Sequence, residues 1–304
     1  MRIIQSEVET VIGYKIPDCV SHNISFDKLD YRYLTTEEYS LFIDEVSAYL
    51  MQYDVIRAGS HRGEDWDLGW KENYDEFVKT RSLDSLIPKY HGKYSISRWD
   101  RHLVYSDQER FDFNLHKLVI DTILCKLLEG VRHVYEFGCG TGYHLFRLAK
   151  YLPTKCFFGL DWTVSSWKII QEAVNTYPEF NVQGRAFNIA EPDNAFHIEK
   201  HSAVVTIAAL EQVGKQFIPF VNYLLKEKPE ICIHFEPIEE LLLTSNAIDI
   251  LSLMYFRKRN YLSGFLTYLR QLEAQGKVEI LEAKRTYSGS KFIEGHSLIV
   301  WRPK

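Results

Sequence analysis

Val134-Tyr135-Glu136-Phe137-Gly138-Cys139-Gly140-Thr141-Gly142 is an apolar run that carries one acid and then three glycines at alternating positions. It reads as a strand breaking into a ligand-binding turn. Alternating glycines allow positive φ and let a ligand approach main-chain amides without meeting a Cβ, and Tyr143 to Lys150 begins a helix directly behind them. The pattern suits a nucleoside-containing cofactor.

A dinucleotide fingerprint, Gly-x-Gly-x-x-Gly, would need a third glycine where Tyr143 stands. The residues resemble instead the first motif of the class I S-adenosylmethionine-dependent methyltransferases: an acid, one residue, then Gly-x-Gly-x-Gly after the first strand. Glu136, Gly138, Gly140 and Gly142 fill its four places. The bland alternative is an ordinary strand-helix connection.

Working outward, the chain alternates strand and helix patterns. Leu118 to Leu128 recurs at helical spacing and stops at Gly130; further strands are expected at Cys156–Leu160, Asn181–Phe187, Ser202–Ala208 and Ile231–Phe235, with helices at Ser165–Tyr177 and Phe217–Leu225. Beyond Pro237 a helical stretch reaches Gln275, and Lys277–Lys284 and His296–Trp301 read as two final strands around the loop Ser288-Gly289-Ser290. Such alternation implies a parallel sheet covered by helices. The resemblance implies an α/β, Rossmann-like sheet of seven strands, mostly parallel with the last antiparallel.

Residues 1–115 differ in character: aromatic, charged and without strand-helix alternation, they read as a mainly helical or irregular cap on a cofactor-binding domain at 116–304, in which 237–276 is a helical insertion near the substrate side. A helix at Glu37–Met51 is opened by the capping-box pattern Thr35-Thr36-Glu37-Glu38. Gly63 to Trp70 mixes turn formers with two tryptophans, either an aromatic pocket wall or anchors packing this segment on the main domain.

Composition narrows the function classes. With 304 residues, 46% hydrophobic and 25% charged, a large α/β domain with an appended segment is expected. A net charge of -5 argues against bulk electrostatic binding of nucleic acid or anionic membrane. The five cysteines show no Cys-x-x-Cys pair and read as reduced, mostly buried thiols; with no apolar leader and no 18-residue apolar run, a cytoplasmic protein is the default. A homo-oligomer stays open.

The cofactor site expected from the resemblance, for S-adenosyl-L-methionine, draws on Glu136, Gly138, Cys139, Gly140, Gly142, Asp161, Trp162, Asn188, Ile189 and Leu210. Asp161 ends the second strand about twenty residues after the glycines, where a carboxylate can accept from both hydroxyls of a ribose, or alternatively cap the next helix. Trp162 would pack on adenine, Asn188 would meet the adenine amino group or simply form a turn, and Glu136 would reach the methionyl amine.

For the chemistry, Ala208 to Val213 is similar to the Leu-Glu-His stretch of small-molecule methyltransferases, with Gln212 in place of the histidine. Glu211 faces the cofactor or substrate, or is a helix-start charge. His234 and Glu236, alternate residues at the end of the fifth strand, are candidates for a general base and its orienting partner. No metal is assigned: Glu211, His234, Glu236 and Glu239 could assemble an oxygen-rich site with one imidazole, but their spacing does not specify one. Arg257-Lys258-Arg259 opens an amphipathic helix in this reading, either a solvated face or an anion site; Arg285, Tyr287 and Glu294 are weaker candidates for the same pocket.

The reading is therefore an enzyme transferring a methyl group to a small polar acceptor, a hydroxyl of a sugar or sugar-linked compound. The outer segments resemble bacterial methyltransferases associated with surface-polysaccharide synthesis. Alternatives are methylation of an amine or a protein side chain, a non-catalytic cofactor-binding partner subunit, and nucleotide-sugar oxidoreduction.

Overall fold

The computed structural model describes residues 1–304. The strands are β1 (Arg32–Tyr33), β2 (Ile96–Trp99), β3 (His102–Tyr105), β4 (His133–Phe137), β5 (Cys156–Asp161), β6 (Val182–Ala186), β7 (Ser202–Ile207), β8 (Ile231–Glu236), β9 (Val278–Lys284), β10 (Ser288–Gly289) and β11 (Ser297–Pro303). Seven of them form one sheet in the order β6-β5-β4-β7-β8-β11-β9. Strands β4 to β8 pair in parallel, and β11 runs antiparallel to both β8 and β9. The last strand is thus the reversed one, as the resemblance implies.

Period-two alternation explains the sheet's burial on both faces. Val134, Val205, Ile233, Phe235 and Val300 point into one core, while Tyr135, Phe137, Val204, Cys232 and Trp301 point into the other. The first core continues into the N-terminal segment through Ile3, Val8, Phe77 and Trp99. The helix Phe111–Leu127 runs through residue 115, where the cap was expected to end.

The N-terminal segment is mainly helical, with helices Gln5–Ile12, Thr36–Met51 and Gly63–Thr80. The capping box forms: Glu38 N donates to Thr35 Oγ1 at 3.2 Å and Thr35 N to Glu38 Oε2 at 2.9 Å. The sequence pattern does not disclose the second sheet, β1-β3-β2-β10, because its strands are only two to four residues long. Its fourth strand is supplied by the C-terminal loop, with Ser288 opposite Trp99 and Gly289 opposite Arg98. That pairing ties the two ends of the chain together beside the main sheet.

Gly63 to Trp70, with its turn formers, is the start of a helix; Glu64 and Asp65 sit in its first turn, where the helix dipole favours acids. Arg257-Lys258-Arg259 closes the helix Ala247–Arg259 instead of opening one. Asn260 (φ 56) and Gly264 (φ 79) break the chain in left-handed conformations before the next helix, Phe265–Ala274, begins. No helix is long and apolar enough to cross a membrane.

Candidate functional site: a cavity at the carboxyl ends of the central strands

Strand order reverses direction at β4, whose neighbours are β5 and β7. In open α/β sheets the ligand crevice lies at that switch point, outside the carboxyl ends of the strands. A cavity lies there, lined among others by Glu136, Gly138, Cys139, Gly140, Asp161, Trp162 and Ile189.

The glycine turn is built for close approach. Gly138, Gly140 and Gly142 all have positive φ, at 73°, 54° and 74°. A Cβ on Gly138 would stand 2.4 Å from Ala209 Cβ, and one on Gly140 would stand 2.9 Å from the Trp70 ring. Gly142 does not line the cavity. It opens the helix Tyr143–Tyr151 and packs on Ile170, where a Cβ would come within 2.7 Å.

Two buried carboxylates end neighbouring strands. Glu136 Oε1 accepts from His144 Nδ1 at 2.8 Å, while its buried Oε2 has no partner. A buried acceptor left open costs about 1–3 kcal/mol, so this oxygen calls for a donor from a ligand. Asp161 Oδ1 accepts from Thr163 N (2.9 Å) and Thr163 Oγ1 (2.8 Å), and Oδ2 from Gly140 N (3.0 Å). A carboxylate has about four acceptor sites. Asp161 therefore keeps roughly one for a ligand, fewer than the pair of hydroxyl contacts expected from sequence. Burial raises its pKa to about 6 against those hydrogen bonds.

Three tryptophans wall the cavity. Trp66 and Trp70, four apart on one helical face, stack with ring centroids 5.4 Å apart, and Trp162 joins them from the β5 end. Asp67 on the same helix accepts from Ser165 N at 2.7 Å, so the N-terminal segment caps the helix that follows Trp162. The two tryptophans are both anchors and wall.

Several expected site residues lie elsewhere. Asn188 Oδ1 accepts from Ala190 N at 3.0 Å in a local turn, and Leu210 is fully buried in the core; neither lines the cavity. His234 is fully buried and both ring nitrogens are occupied, by Thr206 Oγ1 and by the indole N–H of Trp301, each at 2.9 Å. The indole donates to Nε2, so the proton sits on Nδ1 and no lone pair is left for a substrate. Burial holds its pKa down at about 3. His234 is held inside the core with neither ring nitrogen free, so it does not present the base expected at this strand end.

Glu236 is likewise sealed. Its carboxylate accepts from the backbone N–H groups of Ala209, Leu210 and Glu211 at 3.0–3.1 Å, which fastens the turn after β7. Burial raises its pKa to about 7. It cannot orient His234 toward an acceptor. Glu211 is buried behind the cavity wall, its pKa pushed up to about 8 by burial and then by Glu236.

Gln212, which stands where the similar Leu-Glu-His stretch has its histidine, does line the cavity. Its Nε2 donates to Glu211 at 2.8 Å and its Oε1 has no partner. Ala208 beside it holds φ 51, a left-handed conformation unusual for alanine. Tyr90, Tyr143 and His144 complete the wall and were not singled out in the sequence. His144 follows the glycine turn by two residues, the one signal that could have marked it; Tyr90 lies in irregular chain with no motif.

Within the basic triplet, Lys258 Nζ donates to the Leu50 carbonyl at 2.6 Å, and the Arg259 guanidinium lies over Tyr255 and Tyr261 with its Nε unpartnered. Arg285 pairs with Asp249 and Glu294 in the C-terminal loop, away from the cavity. Tyr287 accepts from Arg101 at the surface.

Neither a known protein family nor a curated protein matches the chain. Solved structures do. The [4+2]-cyclase SpnF superposes with a TM-score of 0.51 at 13% identity, covering 82% of this chain and 97% of that one. A SAM-dependent methyltransferase from Aquifex aeolicus (TM-score 0.39, 14% identity, 60% and 88% coverage) and the plantazolicin methyltransferase BpumL, solved with SAH (0.42, 12%, 60% and 80%), also match. The chain has the class I methyltransferase fold.

Proposed function

We propose that the protein transfers a methyl group from S-adenosylmethionine to a hydroxyl of a small polar acceptor, a sugar or sugar-linked compound. One observation carries the cofactor assignment: the open, buried Oε2 of Glu136 at the strand end before the glycine turn. A dinucleotide would bring its pyrophosphate to this turn, against a carboxylate. An ammonium group suits the same oxygen. Asp161 supplies the remaining acceptor for a ribose hydroxyl, and the tryptophan walls suit a nucleobase.

Three features favour a neutral hydroxylated acceptor. Lys258 and Arg259 do not line the cavity, Gln212 Oε1 is free in its wall, and Tyr90 and Tyr143 present aromatic rings with hydroxyls. Transfer from a sulfonium is an in-line displacement, so positioning supplies much of the rate. Since a protein of this fold is described as a cyclase, the test must read the methylated product as well as binding.

Calorimetry is expected to show binding of S-adenosylhomocysteine and none of NAD. A screen of methyl glycosides with methyl-labelled cofactor should then label a glycoside as its methyl ether. Binding of NAD alone would sink the reading; labelling of amines or protein side chains alone would move it to the N-methyl alternative.

A further inference from the structure

The cavity wall at His144 leads into a group of imidazoles. His116, on the helix Phe111–Leu127, stands at its centre, with ring centroids 4.2 Å from His296, 5.5 Å from His91 and 6.0 Å from His144. Four separate parts of the fold supply these rings: the N-terminal segment, the helix before β4, the helix after the glycine turn, and the lead-in to β11. No sequence motif connects them.

The group is incomplete. Nδ1 of His116 and Nδ1 of His296 are buried without a hydrogen-bond partner. Buried polar atoms in native proteins are normally satisfied, and two open nitrogens in neighbouring rings point to an absent ligand. Burial, with smaller contributions from neighbouring imidazoles, lowers the pKa of His296 to about 4 and of His91 to about 3, and holds His116 well below its ordinary value. The three rings are therefore neutral near pH 7, each with one nitrogen able to accept and one able to donate.

The ligand chemistry follows from that set. No three donor atoms converge as a metal site requires. A hydroxyl both gives and receives a hydrogen bond, which matches two neutral imidazoles. Aromatic rings flank the group, with Phe113 5.0 Å from His91 and 5.5 Å from Tyr143. The His144–Glu136 hydrogen bond joins it to the cofactor pocket.

We propose that His116 and His296 form the acceptor subsite and that His296, the more exposed of the two, takes the proton of the acceptor hydroxyl. The inference rests on the methyl-transfer reading above. In the step, the acceptor oxygen forms a bond to the methyl carbon while the carbon–sulfur bond breaks with its pair on sulfur, leaving a neutral thioether. The hydroxyl proton passes to the Nδ1 lone pair of His296 and from there to water. His116 is a positioning residue that fixes the hydroxyl against His296.

The test uses the full chain and Se-adenosyl-L-selenomethionine, a more reactive methyl donor, without acceptor. With no hydroxyl in the subsite, its imidazoles are left as neutral nucleophiles behind the His144 wall of the cavity. Peptide mass mapping is expected to find a methyl on His296 or His116, suppressed by excess S-adenosylhomocysteine. A methyl found only outside His116 and His296, or on no histidine, overturns the assignment. His116→Gln and His296→Gln should each bind S-adenosylhomocysteine within about threefold of wild type; a larger loss overturns the separation of acceptor and cofactor subsites. If wild type fails to bind S-adenosylhomocysteine at all, the methyl-transfer reading itself fails, so the two failures are distinct.

Discussion

Two strand ends in this sheet carry a glutamate with a histidine nearby in sequence, and they have opposite characters. At β4, Glu136 holds His144 with one oxygen and leaves the other open in a cavity wall. At β8, Glu236 spends its carboxylate on three backbone N–H groups, and His234 is locked between Thr206 and Trp301. The same residue types thus leave a buried acceptor open in one place and complete the fold in the other. What separates them is hydrogen-bond satisfaction: a completed network supports structure, and an open buried atom beside a cavity calls for a partner.

Substitutions should divide along that line, with stability lost at β8 and ligand affinity at β4. The largest effect is expected for Glu236→Ala, which strands three amides and should cost about 4 kcal/mol, or roughly 10 °C in thermal midpoint. Heat denaturation checks this, and a fall of less than 2 or 3 °C would break the comparison. Next, His234→Ala should cost about 3 kcal/mol by removing a packed ring and orphaning the Trp301 N–H. Calorimetry on its folded form should show S-adenosylhomocysteine affinity unchanged; a large loss would return His234 to the site.

Glu136→Gln reverses the pattern. It should weaken S-adenosylhomocysteine by about 2 kcal/mol, roughly thirtyfold, with little change in melting. Binding of 5′-methylthioadenosine, which lacks the amino-acid group, should stay as in wild type. Equal losses for both ligands would show that Glu136 does not meet the amine.

The smallest effect is a pH dependence at Glu211. Its folded pKa, about 8, lies above the ordinary 4.5. Between those values the folded state binds the proton and the unfolded state has lost it, so stability falls as pH rises from about 4.5 to about 8. Glu211→Gln should remove this share of the fall, with a larger gain in stability at pH 8 than at pH 5. A denaturant titration at both pH values measures it, and equal gains would refute the linkage.

Much of this architecture is legible in the chain. Apolar alternation marks the five parallel strands, and Glu136 to Gly142 marks the turn, because backbone geometry and ligand approach constrain local sequence directly. The cavity residues within that reach, Glu136, Gly138, Cys139, Gly140, Asp161 and Trp162, are found from the family resemblance that the motif carries. Asn188 and Leu210 are placed one step off the wall, since position at a strand end does not say which way a loop side chain turns.

The histidines mark the boundary. Eleven are scattered along the chain, and nothing local distinguishes His234, sealed in the core, from His116 and His296, which keep open nitrogens. Local sequence determines the period of the strands, the glycine turn and its acid, because those depend on backbone torsions and near neighbours. Tertiary structure alone decides which buried polar atoms are completed and which are left open, because their partners arrive from remote segments: Trp301 to His234, Trp70 onto Gly140, and His296 beside His116.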